Sequence, residues 1–164
     1  MTYIRALAAP IAALLILAGA SAAKDVPQNL TVIDSVVTDS ADLHGNVVLV
    51  DFWASWCRPC RSSFPWMNKL EHRFADKGLR IVTINLDKDP ALARKFLSEM
   101  NSTLPVVYDS AGSLAQAYNL DVMPTSFIYG RDGRLREKHK GFEPKDTDSL
   151  ESLIHGLLKE ESPK

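Results

Sequence analysis

Cysteine is scarce in this chain: two residues in 164, Cys57 and Cys60, with only two positions between them. That rules out a disulfide framework stapling distant loops, because a bridge gains most by closing a long loop in the unfolded chain and this pair closes a single turn. An excess of either charge is also missing. Lysine and arginine number 19, aspartate and glutamate 20, and the formal net charge is -1, so no overall field draws nucleic acid or an anionic membrane. Histidines are few and dispersed: His44, His72, His139 and His155 fall on predicted loops and helix faces. With one cysteine pair they assemble no zinc site, and no metal or other cofactor is expected. There is no internal repeat, and 164 residues suit one domain of ordinary size.

What is present starts with an unusual first two dozen residues. Arg5 supplies a positive charge, Leu7 to Ala20 is apolar and alanine-rich, and Ala20-Ser21-Ala22 offers the small residues that signal peptidase requires. The pattern predicts a signal peptide over residues 1–22 and a domain over 23–164. Retention as an uncleaved anchor is the alternative, since the uncharged run approaches the length of about 18 residues at which spanning becomes feasible. Pro10 interrupts that run and favours cleavage. Lipid attachment would need a cysteine after Leu17-Ala18-Gly19, where Ala20 stands. The expected location is therefore periplasmic or otherwise extracytoplasmic, with membrane contact only through that anchor.

Residues 24–46 form a mixed lead-in with strand-like pieces such as Leu30 to Val37. Val47 to Trp53 is a continuous apolar, β-branched run with one acid inside it, the pattern of a central strand covered on both faces. Phe64, Met67, Leu70 and Phe74 recur at helical spacing until Lys77-Gly78, with Pro65 inside the pattern. A strand over Arg80 to Asn85 follows. Asp89-Pro90 then opens a helix, the acid as N-cap and the proline at the first position, running to about Met100. Pro105 to Tyr108 reads as a strand, Ser113 to Tyr118 as a short helix, and Thr125 to Tyr129 and Leu135 to His139 as a hairpin about Arg131-Asp132-Gly133. Leu150, Leu153, Ile154, Leu157 and Leu158 line one face of a closing helix, and the tail from Glu160 is polar and expected to fray. Alternating strands and helices predict an α/β sandwich with a mixed sheet.

The chemistry concentrates in Trp56-Cys57-Arg58-Pro59-Cys60. Disulfide exchange needs an accessible attacking thiolate, a second thiol one turn away, and surroundings that keep the first pKa low. A helix beginning at the first cysteine supplies all three. Its free N–H groups and dipole favour the Cys57 thiolate, Arg58 adds positive charge, and Cys60 sits shielded in the first turn. Cys57 is then the nucleophile and Cys60 the resolving thiol. Asp51, six residues before Cys57 in an apolar strand, should be buried beneath the helix start with a raised pKa, placed to relay the proton of Cys60. Trp56, beside the nucleophile, is expected to shape the substrate groove.

Val50-Asp51-Phe52-Trp53-Ala54-Ser55-Trp56-Cys57-Arg58-Pro59-Cys60, with Pro65 after it, resembles the active-site segment of thioredoxins. On that resemblance Asp51 falls on the family's buried acid and Pro65 on its helix kink. Val122-Met123-Pro124-Thr125-Ser126-Phe127 is similar to the segment carrying the family's cis-proline. The likeness implies that the Met123 backbone pairs with an extended substrate and that Pro124 packs on the disulfide and bars metal ions. The stretch from Pro90 to Tyr118 is longer than in plain thioredoxin, which together with the export signal resembles the TlpA-like and ResA-like branch. That branch implies a thioredoxin-like three-layer sandwich with an inserted helix and strand before the cis-proline segment. The likeness runs from about Leu43 to Phe142, and Glu99 is a candidate for a glutamate that tunes the site in many members, against the reading of a solvated helix residue.

Relatives with other chemistry fit less well. The peroxidatic cysteine of peroxiredoxins follows a threonine three residues earlier, where Ala54 stands here, and copper chaperones of the superfamily separate their cysteines by three residues rather than two. The resemblance implies a reductase that takes electrons from a membrane thiol-disulfide carrier and breaks disulfides in exported clients such as apocytochrome c or metal-site proteins. A disulfide-forming oxidase runs the same exchange backward, and a non-catalytic client-binding or metallochaperone module is the alternative of another class. Arg58 in place of a histidine and the buried acid favour the reducing direction.

Overall fold

The structure is a computed structural model that describes residues 26–37 and 43–162. The expected signal peptide over residues 1–22 lies outside them, and among the described residues no helix is long and apolar enough to cross a membrane. Five strands build the sheet: β1 (Val47–Trp53), β2 (Leu79–Asn85), β3 (Val106–Tyr108), β4 (Thr125–Tyr129) and β5 (Leu135–Lys140). Their spatial order is β3-β2-β1-β4-β5, so the apolar run is the central strand and every one of its residues is buried. β1 pairs β2 in parallel and β2 pairs β3 in parallel, whereas β4 and β5 run antiparallel to their neighbours. This is the mixed sheet that the alternation of elements predicts.

Strand periodicity sorts the core into two layers. Val47, Leu49 and Trp53 point to one face, where they meet α2 (Arg58–Phe74), α3 (Pro90–Glu99) and α5 (Thr147–Leu158) through Phe64, Met67, Leu70, Phe96, Ile154 and Leu157. Val48, Val50 and Phe52 point to the other, under α1 (Thr31–Asp34) and α4 (Ser113–Ala117), with Ile33 and Tyr118. The result is a three-layer sandwich. α3 and β3 lie between β2 and the segment before β4, where the inserted helix and strand were expected.

Local chemistry explains the element ends. Asp89 Oδ1 accepts a 2.8 Å bond from Ala91 N–H and caps α3, with Pro90 at its first position. After α2, Gly78 turns the chain at φ +94°, in the left-handed region that favours glycine, and a Cβ there would come within 2.9 Å of Arg131 Nη1. Two expectations are corrected. Leu30 to Val37 holds no strand: it contains the helical turn α1, with Leu30 as its N-cap and Ile33 within it, three apart and both turned inward, and the segment just before it meets the sheet through an isolated bridge from Asn29 to Arg134 and a 2.9 Å bond from Leu135 N–H to Gln28 O. The start of the tail is anchored rather than frayed, because Ser162 Oγ donates 3.1 Å to Gly45 O.

Candidate active site

β1 and α2 position the cysteines. The loop from Ala54 to Cys57 closes through a 3.0 Å bond from Cys57 N–H to Ala54 O. Cys57 is the N-cap of α2, its Sγ accepting a 3.3 Å bond from Cys60 N–H, and Pro59 occupies the first turn, where its missing N–H costs nothing. Pro65 lies within the same helix. Cys57 and Cys60 are joined as a disulfide with Cα atoms 5.3 Å apart. Both are largely buried, Cys57 at 5% exposure and Cys60 at 0%, so the sulfur expected to attack is less open than an exposed thiol. The access that remains belongs to Cys57, which lines a cleft of about 550 Å³ that Cys60 does not.

That cleft is walled by Trp56, Arg58, Pro59, Leu86, Leu120 and Met123 among others. Trp56 is 69% exposed and Val122, which lines the same cleft, is exposed as well, two apolar surfaces left in water in the cleft that Cys57 lines. The Met123–Pro124 peptide bond is cis, and Pro124 is buried with its carbonyl accepting from Gly141 N–H at 2.8 Å. The backbone N–H and C=O of Met123 form no hydrogen bond among the described residues.

Asp51 is fully buried in β1, on the face that α2 covers, between Leu49 and Trp53. Burial pushes its carboxyl up from 3.8 to about 7, opposed by a hydrogen bond from Ser126 Oγ–H to Oδ2 at 2.6 Å. Oδ1 has no partner among the described residues. A carboxyl in this state exchanges a proton near neutral pH, which suits a group meant to take one from a thiol.

A second buried acid was not found in the sequence. Asp87, 2% exposed, accepts from Ser55 N–H at 3.0 Å, Ser55 Oγ–H at 2.8 Å and Asn85 Nδ2–H at 2.8 Å. It ties the end of β2 to the residue just before Trp56, and so holds the loop that presents Cys57. Ser55 and Asp87 are 32 positions apart, and nothing local marks them as partners. Glu99, the candidate tuning residue, sits at the end of α3 and pairs with Arg61 of α2 at 2.9 Å on the surface. His44 pairs with Asp34 and His139 with Asp146, while His72 and His155 lie exposed on helices.

Comparison with known proteins agrees with this geometry. A family model described as Redoxin matches residues 18–154. The thiol-disulfide oxidoreductase ResA of Bacillus thuringiensis subsp. konkukian is 30% identical over 105 residues, covering 64% of this chain and 61% of that protein. ResA of Bacillus anthracis is 30% identical over 122 residues, 74% of this chain and 67% of that protein. The match thus spans under two thirds of the length of the first of these relatives. Among solved structures, a candidate thiol:disulfide interchange protein DsbE from Chlorobium tepidum superposes with a TM-score of 0.69 at 42% identity, over 72% of this chain and 84% of the other.

Proposed function

The chain belongs to the Redoxin family, and from that premise we propose that it is an exported thiol:disulfide oxidoreductase that reduces disulfides in extracytoplasmic proteins. The observation that carries the reading is the Cys57–Cys60 disulfide at the start of α2, with Cys57 alone opening into an apolar cleft. Residues 1–22 act as the export signal of the 23–164 domain. Apocytochrome c and metal-site proteins before loading are the client classes, and a membrane thiol-disulfide carrier is the electron donor.

In the reduced protein, free N–H groups and the positive end of the α2 dipole stabilise the Cys57 thiolate, with Arg58 exposed beside it. The thiolate attacks one sulfur of a client disulfide, forming a Cys57–client mixed disulfide and releasing one client thiolate. Cys60 then passes its proton to the Asp51 carboxylate and attacks Cys57 Sγ. The Cys57–Cys60 disulfide forms and the second client thiolate leaves, so two electrons have moved to the client. Trp56, Val122 and Met123 hold the client, an extended segment with apolar residues near its disulfide. The unpaired Met123 backbone supports strand-like pairing with that segment.

The direction is tested by alkylating free thiols in living cells and separating modified from unmodified protein. A mostly reduced Cys57–Cys60 pair is expected. A mostly oxidised pair overturns the reductase assignment in favour of a disulfide-forming oxidase.

A further inference from the structure

A proton taken up by Asp51 needs a way out of a fully buried strand. Asp51 and Ser126 are register partners across β1 and β4, and Ser126 and His139 are register partners across β4 and β5. Partners in register point to the same side of a sheet, with Cβ atoms about 4.5–5.5 Å apart. The three side chains therefore form one row on the face covered by α2, leading from the centre of the sheet to its edge strand. At the outer end His139 Nε2 lies 3.3 Å from Asp146 Oδ2, with side chains 23% and 20% exposed.

We propose that Ser126 and His139 are positioning residues for the resolving step, carrying the proton that Asp51 takes from Cys60 out to water at the rim of the sheet, where Asp146 stands beside His139. The inference rests on the exchange reading above and extends it to residues outside the cysteine loop. Ser126 is the only side chain that bonds Asp51 among the described residues, because Thr83, the register partner on the other side, turns its hydroxyl to Pro105 O at 2.9 Å. From the covering layer, α2 brings Cys60. At the other end the charged groups around His139 are Asp146, with Lys145 and Glu143 beside it. The Glu143 backbone N–H and then His139 hold the Asp146 carboxyl below the usual carboxylate range, so an anion stands ready to stabilise an imidazolium.

The transfer balances as follows. Cys60 S–H gives its proton to Asp51, and its electron pair enters the new bond to Cys57 Sγ. Ser126 Oγ–H, which donates to Asp51 Oδ2 in the structure, turns toward its register partner His139, gives its proton to Nδ1 and takes up the one on Asp51 Oδ2. The imidazolium beside Asp146 releases it to water, leaving Asp51 a carboxylate, Ser126 a hydroxyl and His139 neutral.

The test mixes reduced protein with glutathione disulfide, quenches with acid and an alkylating agent, and follows by mass the Cys57–glutathione mixed disulfide and its release, across pH. Ser126→Ala removes the one donor to the Asp51 carboxylate. Mixed-disulfide formation is expected to be unchanged, and the pH of half-maximal release to move up by about one unit, making release about tenfold slower below the midpoint. Ser126→Thr, which keeps the hydroxyl, restores the profile. His139→Ala slows release, and imidazole in solution restores it. A Ser126→Ala profile that superimposes on the parent overturns the proposal, as does a His139→Ala variant that is not slowed or does not respond to imidazole. If the parent forms no mixed disulfide at Cys57, the exchange reading itself fails. If the parent does and the variants match it, only the proton route fails.

Discussion

Asp51 is an ionisable carboxyl held in an all-buried strand by one hydrogen bond, and its protonation links site chemistry to stability. The folded pKa of about 7 stands above the 3.8 of an unhindered aspartate, so between those values the native state holds a proton that the unfolded chain has released. The contribution is therefore fully present below the lower value and is lost as pH rises through the upper one. The loss is on the order of 4 kcal/mol. Asp51→Asn removes the slope. Denaturant unfolding is expected to show the variant and parent alike near about pH 4 and the variant more stable by up to that amount near about pH 8. Equal stability at both ends would contradict the buried, proton-holding carboxyl. On the proposed mechanism the same variant is expected to slow release of the mixed disulfide, because it lacks the carboxylate that would take the proton of Cys60.

At the scale of elements, the active-site loop is held from behind by the end of β2. Asp87→Ala leaves Ser55 N–H and the Asn85 amide without their acceptor, at a cost of about 2–4 kcal/mol. A lower urea midpoint with unchanged slope is the expected result. An unchanged midpoint would show that the loop does not depend on this network. Such long-range bonds separate what the sequence reveals from what it hides. β1 and α2 are legible because an uninterrupted β-branched run and a helical spacing of large apolar residues are strong periodic signals. α3 announces itself through Asp89 and Pro90, and the β4–β5 hairpin through Asp132-Gly133, where Asp132 Oδ1 accepts from Arg134 N–H. The four-residue α1 spans barely one turn, too short for any period to show, and its apolar residues read equally well as strand. At the site, the cysteines, Asp51 and Trp56 declare themselves by residue type and spacing. Ser126 does not, since its bond to Asp51 joins residues 75 apart and exists only once β4 lies beside β1 in one register.

Across the whole molecule, Arg131 ties together segments that periodic packing leaves separate. Its guanidinium donates to Gly45 O at 2.8 Å, Lys77 O at 3.0 Å and Leu158 O at 3.1 Å, joining the loop before β1, the turn after α2 and the end of α5. Arg131→Met keeps the apolar stem and removes every donor, which is expected to cost about 3 kcal/mol. Amide exchange should accelerate together around Val47 and Gly78, whose backbones pair at 2.9 Å, and at the end of α5. Acceleration in only one of these segments would mean that the arginine does not couple them. The central claim, that this sandwich exists to present Cys57 to a client disulfide with Cys60 behind it, is tested most directly by Cys60→Ala. Without the resolving thiol, the variant in cells is expected to accumulate mixed disulfides that reducing agent dissolves and that mass spectrometry maps to Cys57. If no such adducts form, or if they do not map to Cys57, the account is contradicted.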